Sequence, residues 1–154
     1  MAYSSSLRRS QPIMRLPVDT VSASLVLHDG ERAEVVIFVP AGEDVDDVLV
    51  AREPFLPVVR DGTIVLVARA AIAALGVPHL PAIPREDDLP GETQAAVVRL
   101  RSGVTIAGEL RWTAPVGSQR TADFLNNDEP YVKVYGGDTT YFVTKDHIVL
   151  VEEL

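Results

Sequence analysis

The sequence predicts an all-β protein made of two tandem five-stranded small barrels. Three observations predict it: an internal repeat, period-two alternation of apolar residues within each copy, and turn residues at matching places. The repeat is found by setting "LVLHDGERAEVVIF", from Leu25, over "VRLRSGVTIAGELR", from Val98. Leu27 then falls on Leu100 and Gly30 on Gly103, an offset of 73. After a loop the offset becomes 76 and runs on without a gap. Asp47, Leu49, Glu53, Pro54, Val58, Thr63, Val67 and Ile72 meet Asp123, Leu125, Glu129, Pro130, Val134, Thr139, Val143 and Ile148. Phe55 also meets Tyr131, and Arg69 meets Lys145. Chance supplies isolated aliphatic matches but rarely a Glu-Pro-aromatic-apolar-x-Val string at one fixed offset.

Taken in order, residues 1–17 are expected to be a flexible N-terminal segment. They lack the apolar stretch of a secretory signal, and Ser10-Gln11-Pro12 follows Arg8-Arg9 where a twin-arginine signal would turn apolar. Residues 18–77 form the first copy and residues 94–154 the second. In the second copy Val98 and Leu100 alternate, Ser102-Gly103 turns, and Ile106, Gly108 and Leu110 alternate again, which reads as a hairpin. A glycine at 108, inside a strand, fits a sharp bend of the sheet. Tyr131–Tyr135 alternates, Gly136-Gly137-Asp138 turns, and Thr140–Thr144 returns. Ile148–Val151 closes the copy. Five short strands in some sixty residues suit a sheet bent onto itself. The matching span Ala70–Gly76 has a helix-like composition, but its β-branched partner favours a strand preceded by at most a helical turn. Residues 78–93 contain Pro78, Pro81, Pro84 and Pro90, which remove backbone donors and fix φ, so an extended linker is expected.

The second copy resembles the Sm-like fold, one of the SH3-like small β-barrels. Val98, Leu100, Gly103, Ile106, Gly108 and Leu110 are similar to that family's first motif, and "YFVTKDHIVLV" from Tyr141 is similar to its second. The second motif departs at Asp146, where the family usually has glycine, and the first copy departs further, with Ala33-Glu34-Val35 opposite Ile106-Ala107-Gly108. The resemblance implies ring-forming, RNA-binding or assembly behaviour. By position it places Asp123 and Asn126 near a base-binding loop, with Lys145 and His147 on a second loop.

Charge argues against nucleic acid as the main partner. The chain of 154 residues carries a net −8. The first copy holds four arginines against ten acids, and the linker one arginine against four. Only the N-terminal segment is basic, through Arg8, Arg9 and Arg15. Affinity for nucleic acid comes mainly from neutralised phosphates, so RNA binding is expected to be weak and confined to the second copy. Without cysteine there is no disulfide, thiolate ligand or cysteine nucleophile. No apolar run spans a membrane, and a cytoplasmic location is expected.

Catalytic chemistry finds no support. Walker, nucleophile-elbow, His-Glu-x-x-His and dinucleotide motifs are all missing. His28, His79 and His147 are scattered. Glu43–Asp47 is acidic but lacks the order of a calcium loop and reads as a solvated turn. No enzyme activity, cofactor or metal is therefore expected. The remaining signal is surface chemistry. Arg111, Trp112 and Arg120, with Tyr131, Lys133 and Tyr135, form an aromatic–basic set with three readings: a platform for stacked bases, anchors for a protein partner, or core packing with Trp112 as a cap; of the two binding readings, protein contact is favoured. In the first copy the corresponding strands are apolar on both faces, with Phe55, Val59 and Val65 among them. One barrel interior covers one face, so the other is expected to meet the second copy or another subunit. The expected function is that of a non-enzymatic adaptor or assembly protein that self-associates or binds a protein partner. RNA binding is the alternative.

Overall fold

In a computed structural model the described residues are 18–78, 91–113 and 120–154. The expected N-terminal segment and most of the proline linker lie outside them. Alternating burial along β1 (Val18–Leu27) and β2 (Arg32–Pro40) makes the first hairpin, closed at Gly30, whose φ of 91° suits only glycine comfortably. A short helix α1 (Val45–Val50) follows, then hairpin β3 (Phe55–Arg60) and β4 (Thr63–Ala68), a 3-10 turn at Arg69–Ala71, and β5 (Ile72–Pro78). The second half runs β6 (Gly91–Leu100), β7 (Thr105–Thr113), α2 (Thr121–Leu125), β8 (Tyr131–Gly136), β9 (Thr139–Thr144), a 3-10 turn at Lys145–His147, and β10 (Ile148–Glu153). β6 and β7 start 73 residues after β1 and β2, and each later element starts 76 after its counterpart, the offsets at which the residues match. Ala70–Gly76 is thus a turn and a strand, not a helix.

The ten strands form a single antiparallel sheet in the order β10-β6-β7-β8-β9-β5-β1-β2-β3-β4. This corrects the expectation of two closed barrels. The physical reason lies in β5. One of its edges pairs with β1, and the other pairs with β9 of the second half rather than with β4 of its own. Ala74 faces Val143, Leu75 faces Phe142 and Gly76 faces Tyr141. β5 is buried from Ile72 to Val77, as a strand apolar on both faces and paired on both edges should be.

Each half still gathers its own core. Leu25, Ile37, Leu56, Val58, Ile72 and Leu75 centre the first, with Val65 and Val67 of β4 packed against it. β4 and β5 lie at opposite ends of the five-strand run, so sharing one core requires the run to curve strongly. Val98, Leu100, Leu110, Val134 and Val143 centre the second core. The halves also exchange side chains. Phe142 of β9 packs in the first core, while Val26, Ala73 and Ala74 pack in the second. A bulge at Val26–Leu27 against β5 accompanies this exchange.

The acidic run Glu43–Asp47 starts α1 rather than forming a mere solvated turn. The Asp44 carboxylate accepts from the Asp47 backbone N, and the Asp47 carboxylate accepts from the Asp44 backbone N. This reciprocal cap satisfies donors that a six-residue helix otherwise exposes. Among the described residues, no helix is long and apolar enough to cross a membrane.

Candidate functional site

The residues singled out for binding are spread over the internal junction between the halves, the strands and short helix of the second half, and strands β3 and β4 of the first. Tyr131 and Lys133 stand on alternate positions of β8 and reach the first half. Lys133 Nζ lies 3.0 Å from Asp46 of α1 and 5.4 Å from the Phe142 ring centroid. Tyr131 packs beside Phe142, with ring centroids 5.7 Å apart, near the Asp46 carboxylate. Burial raises the Tyr131 phenol pKa, and the Asp46 carboxylate raises it further, so the phenol stays neutral. These two residues of the second half therefore serve an interface within the chain. The half-exposed Asp46–Lys133 pair should couple by about 0.5–1 kcal/mol in a double-alanine cycle read by urea unfolding, with the coupling reduced at high salt.

Tyr135 lies under Arg111, whose guanidinium carbon is 4.1 Å from the ring centroid. Trp112 stacks on Phe124 of α2 with centroids 5.0 Å apart, and both pack against the second core. Trp112 thus tethers the short helix to the sheet. In the first half Phe55 is exposed, Val59 is half-buried, and Val65 turns into its own core, so the contact outside their own half expected of these three is not seen for Phe55 or Val65. Ile64 and Leu66 are the strongly exposed apolar residues of β4. The sequence placed both in a strand apolar on both faces, but the contact was expected at Phe55, Val59 and Val65.

The four positions implied for RNA make internal bonds. Asp123 caps α2 by accepting from Arg120 N, and Asn126 N donates to Ala122 O at the end of that helix. Lys145 Nζ donates to both the backbone oxygen and Oδ1 of Asn127. Arg69, its counterpart, donates to the backbone oxygens of Glu53 and Val48. In both halves this basic residue ties the 3-10 turn to the segment after the helix, and Arg69 also reaches the helix itself at Val48. His147 Nε2 meets Ala70 O at 2.9 Å, joining the two 3-10 turns across the junction. Among the described residues, no group of three or more acidic, histidine or cysteine side chains could hold a metal ion.

Among the described residues, β4 and β10 are the two strands at the ends of the sheet, each with no strand paired to its outer edge. Both present exposed apolar residues: Ile64 and Leu66 on β4, Val149 and Leu150 on β10. Such edges are templates for pairing with another chain. A cleft of about 580 Å³ lies on the sheet near the junction, lined in part by Ser24, Glu34, Asp61, Gly76 and Tyr141. An apolar cavity of about 230 Å³ opens beside β4. No protein-family model matches the chain, and neither the curated proteins nor the solved structures contain a match to it.

Proposed function

We propose that this chain is a non-enzymatic assembly protein that joins protein chains through the open edges of its sheet. The observation carrying this reading is the pair of end strands that no other described strand pairs on the outer edge, each bearing large exposed apolar residues. Native proteins usually blunt such edges with charge, proline or a covering element. Here β4 offers Ile64 and Leu66 instead. We also read the halves as a duplicated unit with Sm-like strand connectivity. Support comes from the repeated element starts and from the matching 3-10 turns held by Arg69 and Lys145.

An Ile64→Glu, Leu66→Glu variant tests the reading, because both side chains are exposed and their loss should leave the fold unchanged. By sedimentation and by capture of protein ligands, the wild type should associate and the variant should not. Identical behaviour of the two, with the wild type a 16.7 kDa monomer that captures nothing through these edges, would refute the reading.

RNA binding has less support, since Lys145 and His147 spend polar contacts internally. The second half has six basic side chains against eight acids. If three of the six met phosphates, the log–log salt slope would be only about −2 for single-stranded RNA. A filter-binding titration with a uridine-rich oligomer over a salt series measures it. A much steeper slope, together with tight binding at physiological salt, would reverse the ranking.

A further inference from the structure

We infer that residues 1–17 of this chain dock on the outer face of the first half, across strands β1 to β4. The inference concerns a face of the sheet rather than its edges, and it does not depend on the edge-assembly reading above.

Strand register defines the face. Ile64 pairs with Val59, Val59 with Val36, and Val36 with Ser22. Directly paired residues share a face, and successive residues of a strand alternate between faces. Leu66, Pro57, Phe38 and Thr20 therefore stand on the same face one row along, and Phe55 and Val18 one row further. The opposite face carries Ile37, Leu56 and Val58 into the first core. Phe55 is 54% exposed, Val18 is 49% exposed, and Ile64 and Leu66 are each 65% exposed. A contiguous apolar surface of this kind marks a place that something covers.

The second half shows what the same face looks like when it is closed. Val36, Phe38, Pro57 and Val59 are replaced there by Glu109, Arg111, Lys133 and Tyr135. Glu109 pairs with Arg111, the Arg111 guanidinium lies over Tyr135, and Lys133 pairs with Asp46. Ile64 and Leu66 are replaced by Thr140 and Phe142, each 6% exposed. The second half therefore satisfies this face with its own polar side chains and with the junction. In the first half the corresponding positions are apolar, and no described residue covers them.

Residues 1–17 match the face in reach and in chemistry. Pro17 joins Val18, which itself stands on this face. Neighbouring strands lie about 4.8 Å apart, so crossing from β1 to β4 takes about 14 Å. Ile13, five residues before Val18, reaches that far in an extended chain. Ile13, Met14 and Leu16 supply apolar side chains for the apolar rows. Arg8, Arg9 and Arg15 make the segment basic, with no acid in it, whereas residues 18–77 hold four arginines against ten acids. On the face itself Glu34 and Asp61 line the cleft beside Val36 and Val59, and neither carboxylate is in an ion pair with a described residue. Arg32 shares their face but stands beyond Glu34, away from Val36. Arg9 lies nine residues before Val18, and the acids lie about 20 Å along the strands and about 10 Å across them, within its span. A tether this short holds the segment at an effective concentration in the millimolar range, so modest contacts suffice.

The absence of native cysteine makes the test direct. Phe55→Cys reports on the face from a strand inside the sheet, and Val149→Cys on β10 serves as the control. Each reporter is placed in the full chain and in a full chain carrying Arg8→Glu, Arg9→Glu, Ile13→Ser and Met14→Ser. An uncharged maleimide should react about fivefold or more slowly at Phe55→Cys in the otherwise native chain than in the substituted one. Val149→Cys should react equally in both. The protection should not depend on protein concentration. It should shrink but persist in about 1 M salt, where the Debye length falls to about 3 Å and the apolar contacts remain. Equal reactivity of Phe55→Cys in the two backgrounds would overturn the proposal. Protection that appears only as protein concentration rises would mean a segment supplied by a second copy, and would overturn docking within the chain. Protection conferred equally in both backgrounds by a captured protein would give the face to that partner and overturn the proposal as well. Self-association and capture, which test the edge reading, are measured separately on the wild type.

Discussion

Leu75→Ala is expected to destabilise the protein by about 3 kcal/mol, within the roughly 2–5 kcal/mol range of buried leucine truncations. Leu75 is 0% exposed and sits at the middle of β5. It faces Leu25 of β1 on one side and Phe142 of β9 on the other. Hydrogen-bonded strands on both edges hold the backbone, so the site cannot collapse around the missing methyl groups. The lost contacts also join the halves, because Phe142 is the fully buried residue that the second half contributes to the first core, beside the partly buried Tyr131. Urea unfolding should show a lower midpoint with an unchanged slope. Phe55→Ala, at an exposed position on β3, should shift the same midpoint by about 0.5 kcal/mol or less. Equal effects of the two substitutions would mean that β5 is not the centre of the packing.

Gly108→Ala should cost about 2 kcal/mol although it adds one carbon. A Cβ there would lie 2.6 Å from the Tyr135 carbonyl oxygen, 2.9 Å from its carbonyl carbon and 2.8 Å from Val134 Cγ1. Two of these three atoms are backbone, so no rotamer change relieves the clash and β8 must move away from β7. The ladder between those strands is sparse, with Glu109 opposite Tyr135 as its paired residues. Displacing β8 also disturbs Arg111 over Tyr135 and the Lys133–Asp46 contact. The variant should thus melt earlier and show a weakened Asp46–Lys133 coupling. A neutral Gly108→Ala would contradict the close approach of β7 and β8.

Strand positions were legible because alternation and turn glycines act locally. Val98 to Leu110 announces a hairpin whatever surrounds it, and the repeat fixed its counterpart in the first half. Pairing between the halves was not legible in the same way. A ladder such as β5 against β9 is made by backbone groups that every non-proline residue supplies, so no residue pattern names the partner strand. The two-faced apolarity of Phe55–Val59 and Ile64–Ala68 did not locate it, since Phe55, Ile64 and Leu66 stay exposed and the strand covered on both faces is β5. Closed barrels followed from assuming that each copy satisfies its own edges. The short helices were missed for a different reason. Six and five residues give too little periodicity, and the Asp44–Asp47 cap looked like surplus charge. Trp112, Tyr131 and Lys133 stood out as binding groups because aromatic and basic side chains look alike whether they meet a partner or their own chain.

The β5–β9 ladder joins residues 61 to 69 positions apart, whereas the four hairpins close over turns of a few residues. Hairpins form in microseconds, and contacts so distant in sequence wait for the intervening chain to be ordered. During refolding, each half would therefore complete its hairpins while β5 still seeks a strand. At high concentration the β9 of a neighbouring molecule competes with the β9 of the same chain, and capture by the neighbour yields a strand-exchanged dimer. Rapid refolding from urea should consequently give more exchanged dimer as protein concentration rises, and slow dilution should give less.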